Sequence, residues 1–130
     1  MSAKQNKEIE HRYIKAFEQG NVDLIADFLT PDYIYHGLGG REVKGIEDMK
    51  QFATFFHKGF PDIRFTFEDM VAEGDIVMYR YTMRGTHAPS GKKMSIMGFM
   101  QDRFKSGKLV ESWEVLDRNE LYQQIGAPPP

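Results

Sequence analysis

Apolar positions recur at helical spacing up to about residue 60 and then alternate, so the chain changes period once. Residues 3–19 set Ile9, Tyr13, Ala16 and Phe17 on one stripe, and Gly20 is placed to end that helix. Asn21 is positioned to cap a second short helix carrying Val22, Ile25, Ala26, Phe28 and Leu29, which Thr30-Pro31-Asp32 breaks. An extended piece, Tyr33 to His36, leads into the loop Gly37-Leu38-Gly39-Gly40. A third helix is predicted over residues 45–58, with Ile46, Met49, Phe52, Ala53 and Phe56 on one face.

From Asp62 the period is two: Ile63, Phe65 and Phe67 alternate with Arg64, Thr66 and Glu68, as in a half-buried strand. Turns at Gly74-Asp75, at Ser90-Gly91-Lys92 and at Lys105-Ser106-Gly107-Lys108 mark off three further strands, 76–86, 93–104 and 109–116. Asp117 is set to cap a closing helix, Glu120 to complete a capping box and Gly126 to stop it. Pro128-Pro129-Pro130 cannot continue a helix, so residues 127–130 read as a loose tail. Helices followed by an antiparallel meander predict one α+β domain over 1–130. Its twisted, curved sheet would wrap the N-terminal helices as a cone with a wide end open to a ligand. Periodicity does not say whether that cone is hollow or filled.

Composition sharpens this picture. Hydrophobic residues at 41% and charged residues at 28% exclude disorder, and a 13% aromatic share asks for a pocket lining or a packed sheet face. With 17 basic against 19 acidic residues and no Lys/Arg run, a nucleic-acid partner is not expected. The absence of cysteine excludes disulfides, thiolate metal sites and a Cys nucleophile. No two of the four histidines stand at i, i+4, and no metal or other cofactor is expected. No stretch has the apolar length of a signal peptide core or a membrane span, so a soluble, cytoplasmic protein is the expectation.

Ordered landmarks run through the second half: Phe60-Pro61-Asp62, Glu73-Gly74-Asp75, Gly85-Thr86-His87, Arg103-Phe104, Gly107-Lys108-Leu109, Glu111-Ser112-Trp113-Glu114-Val115-Leu116-Asp117 and Gln123-Gln124-Ile125-Gly126. Together they resemble the SnoaL-like polyketide cyclase family over roughly residues 7–127. The resemblance implies the nuclear transport factor 2-like cone shared with ketosteroid isomerase, and it speaks to fold more firmly than to function. The cyclases' general acid/base aspartate aligns with Glu114, and a pocket histidine of theirs aligns with Met100. Arg12-Tyr13-Ile14 with Ala16-Phe17 and Gly20 is similar to the stretch where ketosteroid isomerase keeps its oxyanion tyrosine, which would fall on Tyr13. In the same register the isomerase's catalytic aspartate falls on His36 and its second oxyanion donor on Met100, so steroid isomerisation by that route is not expected. One bulged residue near the turn at 105–108 would set Met100 and Glu114 on one face.

Glu114 is the leading catalytic candidate, because a carboxyl lifted toward neutrality by an apolar pocket can both take and return a proton in an aldol-type ring closure. The competing reading is a solvent-facing glutamate paired with Lys108 or Arg103, since Ser112, Glu114 and Leu116 alternate with Glu111, Trp113 and Val115. His36 and Tyr13 are the supporting catalytic candidates, against a loop histidine bonded to backbone and a core aromatic. Met100, His87, Arg80 and Ser112 are candidate ligand-binding positions. His87 also reads as a turn residue, and Arg80 asks for an acidic partner such as Glu114 or Glu68. The expected ligand is a small, apolar, carbonyl-containing molecule. The rival class is a module that binds such a ligand without turnover. Trp113, Val115, Phe99 and Met97 suggest an aromatic outer sheet face, covered most simply by a homodimer through the sheets.

Overall fold

A computed structural model describes residues 1–37 and 40–126, so Leu38 and Gly39 of the glycine loop and the expected loose tail 127–130 lie outside the described residues. Among the described residues four helices pack against a six-stranded curved sheet, in the order α1 (Ala3–Gln19), α2 (Val22–Asp27), β1 (Leu29–His36), β2 (Glu42–Lys44), α3 (Gly45–Gly59), β3 (Arg64–Glu73), β4 (Ile76–Thr86), β5 (Lys93–Lys105), β6 (Lys108–Leu116) and α4 (Arg118–Ile125). The strands lie in the order β2-β1-β6-β5-β4-β3. The α+β cone expected from the pattern is present.

Local chemistry explains most of the boundaries. Ser2 and Gln5 form a reciprocal capping box at the start of α1, and Gly20 ends it at φ 67°. Asn21 accepts from the Leu24 amide to start α2. Asp117 accepts from the Glu120 amide at 3.0 Å, but the Glu120 carboxylate takes the Gln124 amide instead of returning to the cap, so only half of the expected box forms.

The sheet is larger than the alternation foretold. Helix α2 closes at Asp27, and Leu29 already pairs with Leu109, so the segment read as helix end, breaker and short extended piece is one strand, β1. Its pairing is interrupted between Leu29 and Ile34, the stretch holding Pro31, which has no N–H to give to a ladder. β1 runs parallel to β6, and β2 adds an antiparallel edge that the residue pattern did not predict. The sheet is therefore not wholly antiparallel.

Two bulges set which side chains face inward. In β3–β4 the register shifts between Phe67 and Asp69, which leaves Glu68 unpaired and turns Met70 and Ala72 to the inner face after Phe65 and Phe67. In β5–β6 it shifts between Arg103 and Phe104, so Leu109, Ser112 and Glu114 all face inward, and Met100 pairs with Glu114 as expected. Helix α1 lies on β3 and β4, α3 on β1 and β2, and α4 on β5. Ile25, Leu29, Ile63, Val77 and Leu109 are fully buried between these layers. The space between helices and sheet is packed apart from one hollow, lined from α1, α3, α4 and the sheet.

Candidate active site

A cavity of about 420 Å³ opens between the helices and the sheet. Its walls are aromatic and aliphatic: Phe52 and Phe56 from α3, Phe65 from β3, Met83 from β4, Met100 from β5 and Leu121 from α4. Exposed Arg41 and Phe55 mark the mouth, and buried Tyr13, Tyr33, Tyr79, Asp102 and Ser112 mark the floor. An apolar concavity with a few converging polar groups is the ordinary shape of a small-molecule site.

Glu114 projects into this cavity from β6. Tyr35 from β1 donates its hydroxyl to Oε1, and Tyr81 from β4 donates to Oε2. Burial raises the Glu114 pKa above the ordinary carboxylate value, the two tyrosine hydrogen bonds pull it back down, and the charge of Asp102 adds a smaller lift. Burial and the nearby Glu114 push Tyr35 and Tyr81 up, so both stay protonated donors. Each carboxylate oxygen keeps a lone pair for a substrate proton.

Glycine makes the tyrosine positions possible. The Tyr81 ring lies across Gly98, its cross-strand partner, so close that a Cβ there would stand 2.2 Å from the hydroxyl oxygen. Gly37, two residues further along the chain, lies under the Tyr35 ring, where a Cβ would stand 2.6 Å from a ring carbon. Both donors to Glu114 are thus seated over residues without side chains.

Of the residues read from the sequence, Glu114, Tyr13, Met100 and Ser112 line this one cavity. Ser112 is buried and accepts the Tyr33 hydroxyl at 2.8 Å. Tyr13 lies on the floor, and burial foremost, with the charge of Asp102 next, keeps its hydroxyl protonated. Three candidates lie elsewhere. His36 follows Tyr35 by one residue, so the pleat turns it to the outer face, where it bonds Glu111 at 2.7 Å and stacks on Trp113 at 5.2 Å. Arg80 also faces outward; its partner is Asp69 at 2.9 Å, which the Glu68 bulge sets opposite it, and neither Glu68 nor Glu114 is bonded to it. His87 bonds Ser90 Oγ at 2.8 Å in the loop after β4, as in its turn reading.

Four site residues were not singled out by the sequence pattern: Tyr35, Tyr81, Asp102 and Glu10. The signal was present for two. Asp102 falls on the inward phase of Met94, Ile96, Gly98, Met100 and Phe104, and Glu10 lies on the α1 stripe of Tyr13, Ile14 and Phe17. A carboxyl on a core phase is a flag in itself. Tyr35 and Tyr81 read as ordinary core aromatics until β1 and β4 are placed on either side of Glu114.

Comparison with known proteins agrees with the geometry. A model of the SnoaL-like polyketide cyclase family matches residues 7–125. Among solved structures, AclR from Streptomyces galilaeus, a proposed hydroxylase, is 27% identical with a TM-score of 0.85, and the match covers 98% of this chain and 100% of that one. A proposed polyketide cyclase from Bacillus cereus is 29% identical with a TM-score of 0.84, covering 99% and 87% of the two chains. IdmH from Streptomyces antibioticus, a proposed polyketide cyclase, is 25% identical with a TM-score of 0.81, covering 95% and 99%. A search of curated proteins finds no match. Among the described residues no helix is long and apolar enough to cross a membrane.

Proposed function

The chain belongs to the SnoaL-like polyketide cyclase family, and on that footing we propose that it is a cofactor-free acid–base enzyme acting on a carbonyl-rich, polyketide-like or aromatic small molecule. The observation that carries this reading is the Glu114 carboxyl, held by two tyrosine hydroxyls and facing an apolar cavity. Desolvation lifts its pKa, which suits a group that must take a proton and return it. Glu114 removes a proton from carbon next to a carbonyl. The C–H electron pair moves into the C–C bond, and the carbonyl oxygen becomes an enolate, for which the proposed hydrogen-bond donor is the hydroxyl of the cavity-lining Tyr13. In a cyclisation the enolate carbon then attacks a second carbonyl of the same molecule. Protonated Glu114 returns its proton to the new alkoxide, and the carboxylate is restored.

Exchange of the central protons of 1-phenylbutane-1,3-dione with deuterated water, followed by NMR, tests the first step. The wild type should accelerate exchange, and Glu114→Gln should lose roughly 10²-fold or more of that acceleration, the ordinary worth of a positioned base. Equal rates in the two proteins would defeat the assignment. Ligand affinity that persists in both with no exchange in either would make the cavity a binding site without turnover.

The outer sheet face supports a second part of the proposal, a homodimer. Phe99 and Val115 are cross-strand neighbours, 52% and 70% exposed, with Met97 beside them at 50%. An apolar patch on the two central strands, β5 and β6, is what an isologous sheet-to-sheet interface buries.

A further inference from the structure

Two cations line the cavity, and proton transfer by Glu114 uses neither. Arg41, between β1 and β2, stands exposed at the mouth, its Cζ 5.4 Å from the centre of the Phe52 ring. Arg118, the first residue of α4, lines the same cavity and is half-buried. Among the described residues neither guanidinium forms an ion pair. A cation at the first position of a helix opposes the helix dipole, so Arg118 does nothing for α4. Stacking over Phe52 holds the Arg41 guanidinium by its face and leaves its N–H edge to donate.

The other charge-bearing groups of the lining are carboxyls: Glu114 on the wall and, at the floor, Asp102, which meets Glu10. The cavity is thus acidic inside and basic toward its opening. A ligand anion pushed toward Glu114 would lose its water beside a second carboxyl, whereas at the mouth it meets cations and stays hydrated. One wall joins the two ends. Tyr35 bonds Glu114, and its ring centre lies 5.3 Å from that of Phe52, over which Arg41 sits. Those two steps put the Arg41 cation within about 11 Å of the Tyr35 ring, a span that one benzene ring substituted at both ends can bridge. The flat, two-oxygen edge of a carboxylate matches the guanidinium fork, and a carbonyl-rich acid carries that group at one end.

We propose that Arg41 and Arg118 select a ligand with a free carboxylate, holding that group at the mouth while the enolisable carbonyls reach Glu114. This deepens the proposed function, naming the substrate as a keto acid and not a neutral ketone or ester, and it rests on the cavity being the substrate site.

The acid 4-(3-oxobutanoyl)benzoic acid and its methyl ester carry the same diketone across one ring and differ in that charge. In isothermal titration calorimetry the wild type should bind the acid roughly tenfold more tightly than the ester, the worth of charge-assisted hydrogen bonds at a partly exposed site. In Arg41→Gln/Arg118→Gln the two affinities should become equal, the ester reporting in the same protein that the cavity is intact. The wild-type preference should also shrink as salt is raised. Equal affinities in the wild type, a preference that survives in the double variant, or one indifferent to salt would each overturn the carboxylate site. Should the double variant bind neither compound, Arg41→Gln alone, at an exposed position, decides: an undiminished preference there overturns the site. Binding of neither compound by the wild type overturns it as well. The proposed function is tested apart from this, by exchange of 1-phenylbutane-1,3-dione, which has no carboxylate. Equal affinities for acid and ester, with exchange still lost in Glu114→Gln, would remove the carboxylate site alone.

Discussion

Gly98→Ala adds one methyl group and reaches Glu114 through Tyr81. The new Cβ would lie 2.2 Å from the Tyr81 hydroxyl oxygen and 2.4 Å from Cζ, whereas ordinary contact begins at 3.4 Å. The ring must therefore retreat by 3.4 − 2.2 = 1.2 Å, and Tyr81 is 0% exposed, so it retreats into packed core. Overpacking of that kind costs about 1–3 kcal/mol. Loss of the hydroxyl's bond to a carboxylate adds about 1.5–3 kcal/mol. Removing a strand-interior glycine returns about 0.5–1 kcal/mol. A net loss of about 1.5–5.5 kcal/mol is expected from these opposing effects, read as a lower urea midpoint with unchanged slope. The same displacement removes one of the two hydrogen bonds that draw the Glu114 pKa down, so its titration should move upward. Carbon-13 labelling of the glutamate carboxyls, with Glu114→Gln to assign the signal, follows that movement. Stability within about 0.5 kcal/mol of wild type together with an unmoved Glu114 titration would show that Tyr81 is not held against Gly98, since surface-like tolerance is incompatible with that packing.

Burial raises both Glu10 and Asp102, so between the ordinary carboxylate range and their raised values the folded chain holds protons that the unfolded chain has released. Stability is then greatest on the acid side of that window and falls as pH rises through it, by up to about 1.4 kcal/mol per pH unit for each proton. Glu10→Gln should flatten the dependence of Tm on pH between 4 and 8; an unaltered slope would show that the pair ionises normally. The outer patch makes a separate prediction: light scattering should give twice the 15.1 kDa chain mass for the wild type and the single-chain mass for Phe99→Glu. A monomeric wild type would remove the dimer.

Helix stripes, turn glycines and the alternation of β3 were legible because each depends on residues within a few positions of one another. The parallel pairing of β1 with β6 was not, because Tyr35 meets Ser112 across more than seventy residues and Pro31 disguises the strand that carries it. That same gap misplaced the site by one residue. His36 was the position singled out, yet in a pleated strand its neighbour Tyr35 faces the cavity, and only knowing that β1 is a strand distinguishes the two. On β6 both phases mix polar and apolar residues, so alternation could not choose a face for Glu114; the bulge at β5–β6 chose it. Arg80 found Asp69 for a similar reason, through a bulge invisible in the residue pattern. The acid pair at the floor lay open to a purely local reading, since Glu10 and Asp102 both sit on core phases.

The proposed role of Glu114 is to move the substrate proton from within an apolar cavity. It is tested most directly by following deuterium exchange of 1-phenylbutane-1,3-dione against pH beside the carbon-13 titration of the Glu114 carboxyl. Glu114 should show a midpoint above the ordinary carboxylate range, with the exchange rate rising through that same midpoint and collapsing in Glu114→Gln. A midpoint at the ordinary value of about 4.3, or exchange whose pH dependence ignores Glu114, would contradict it.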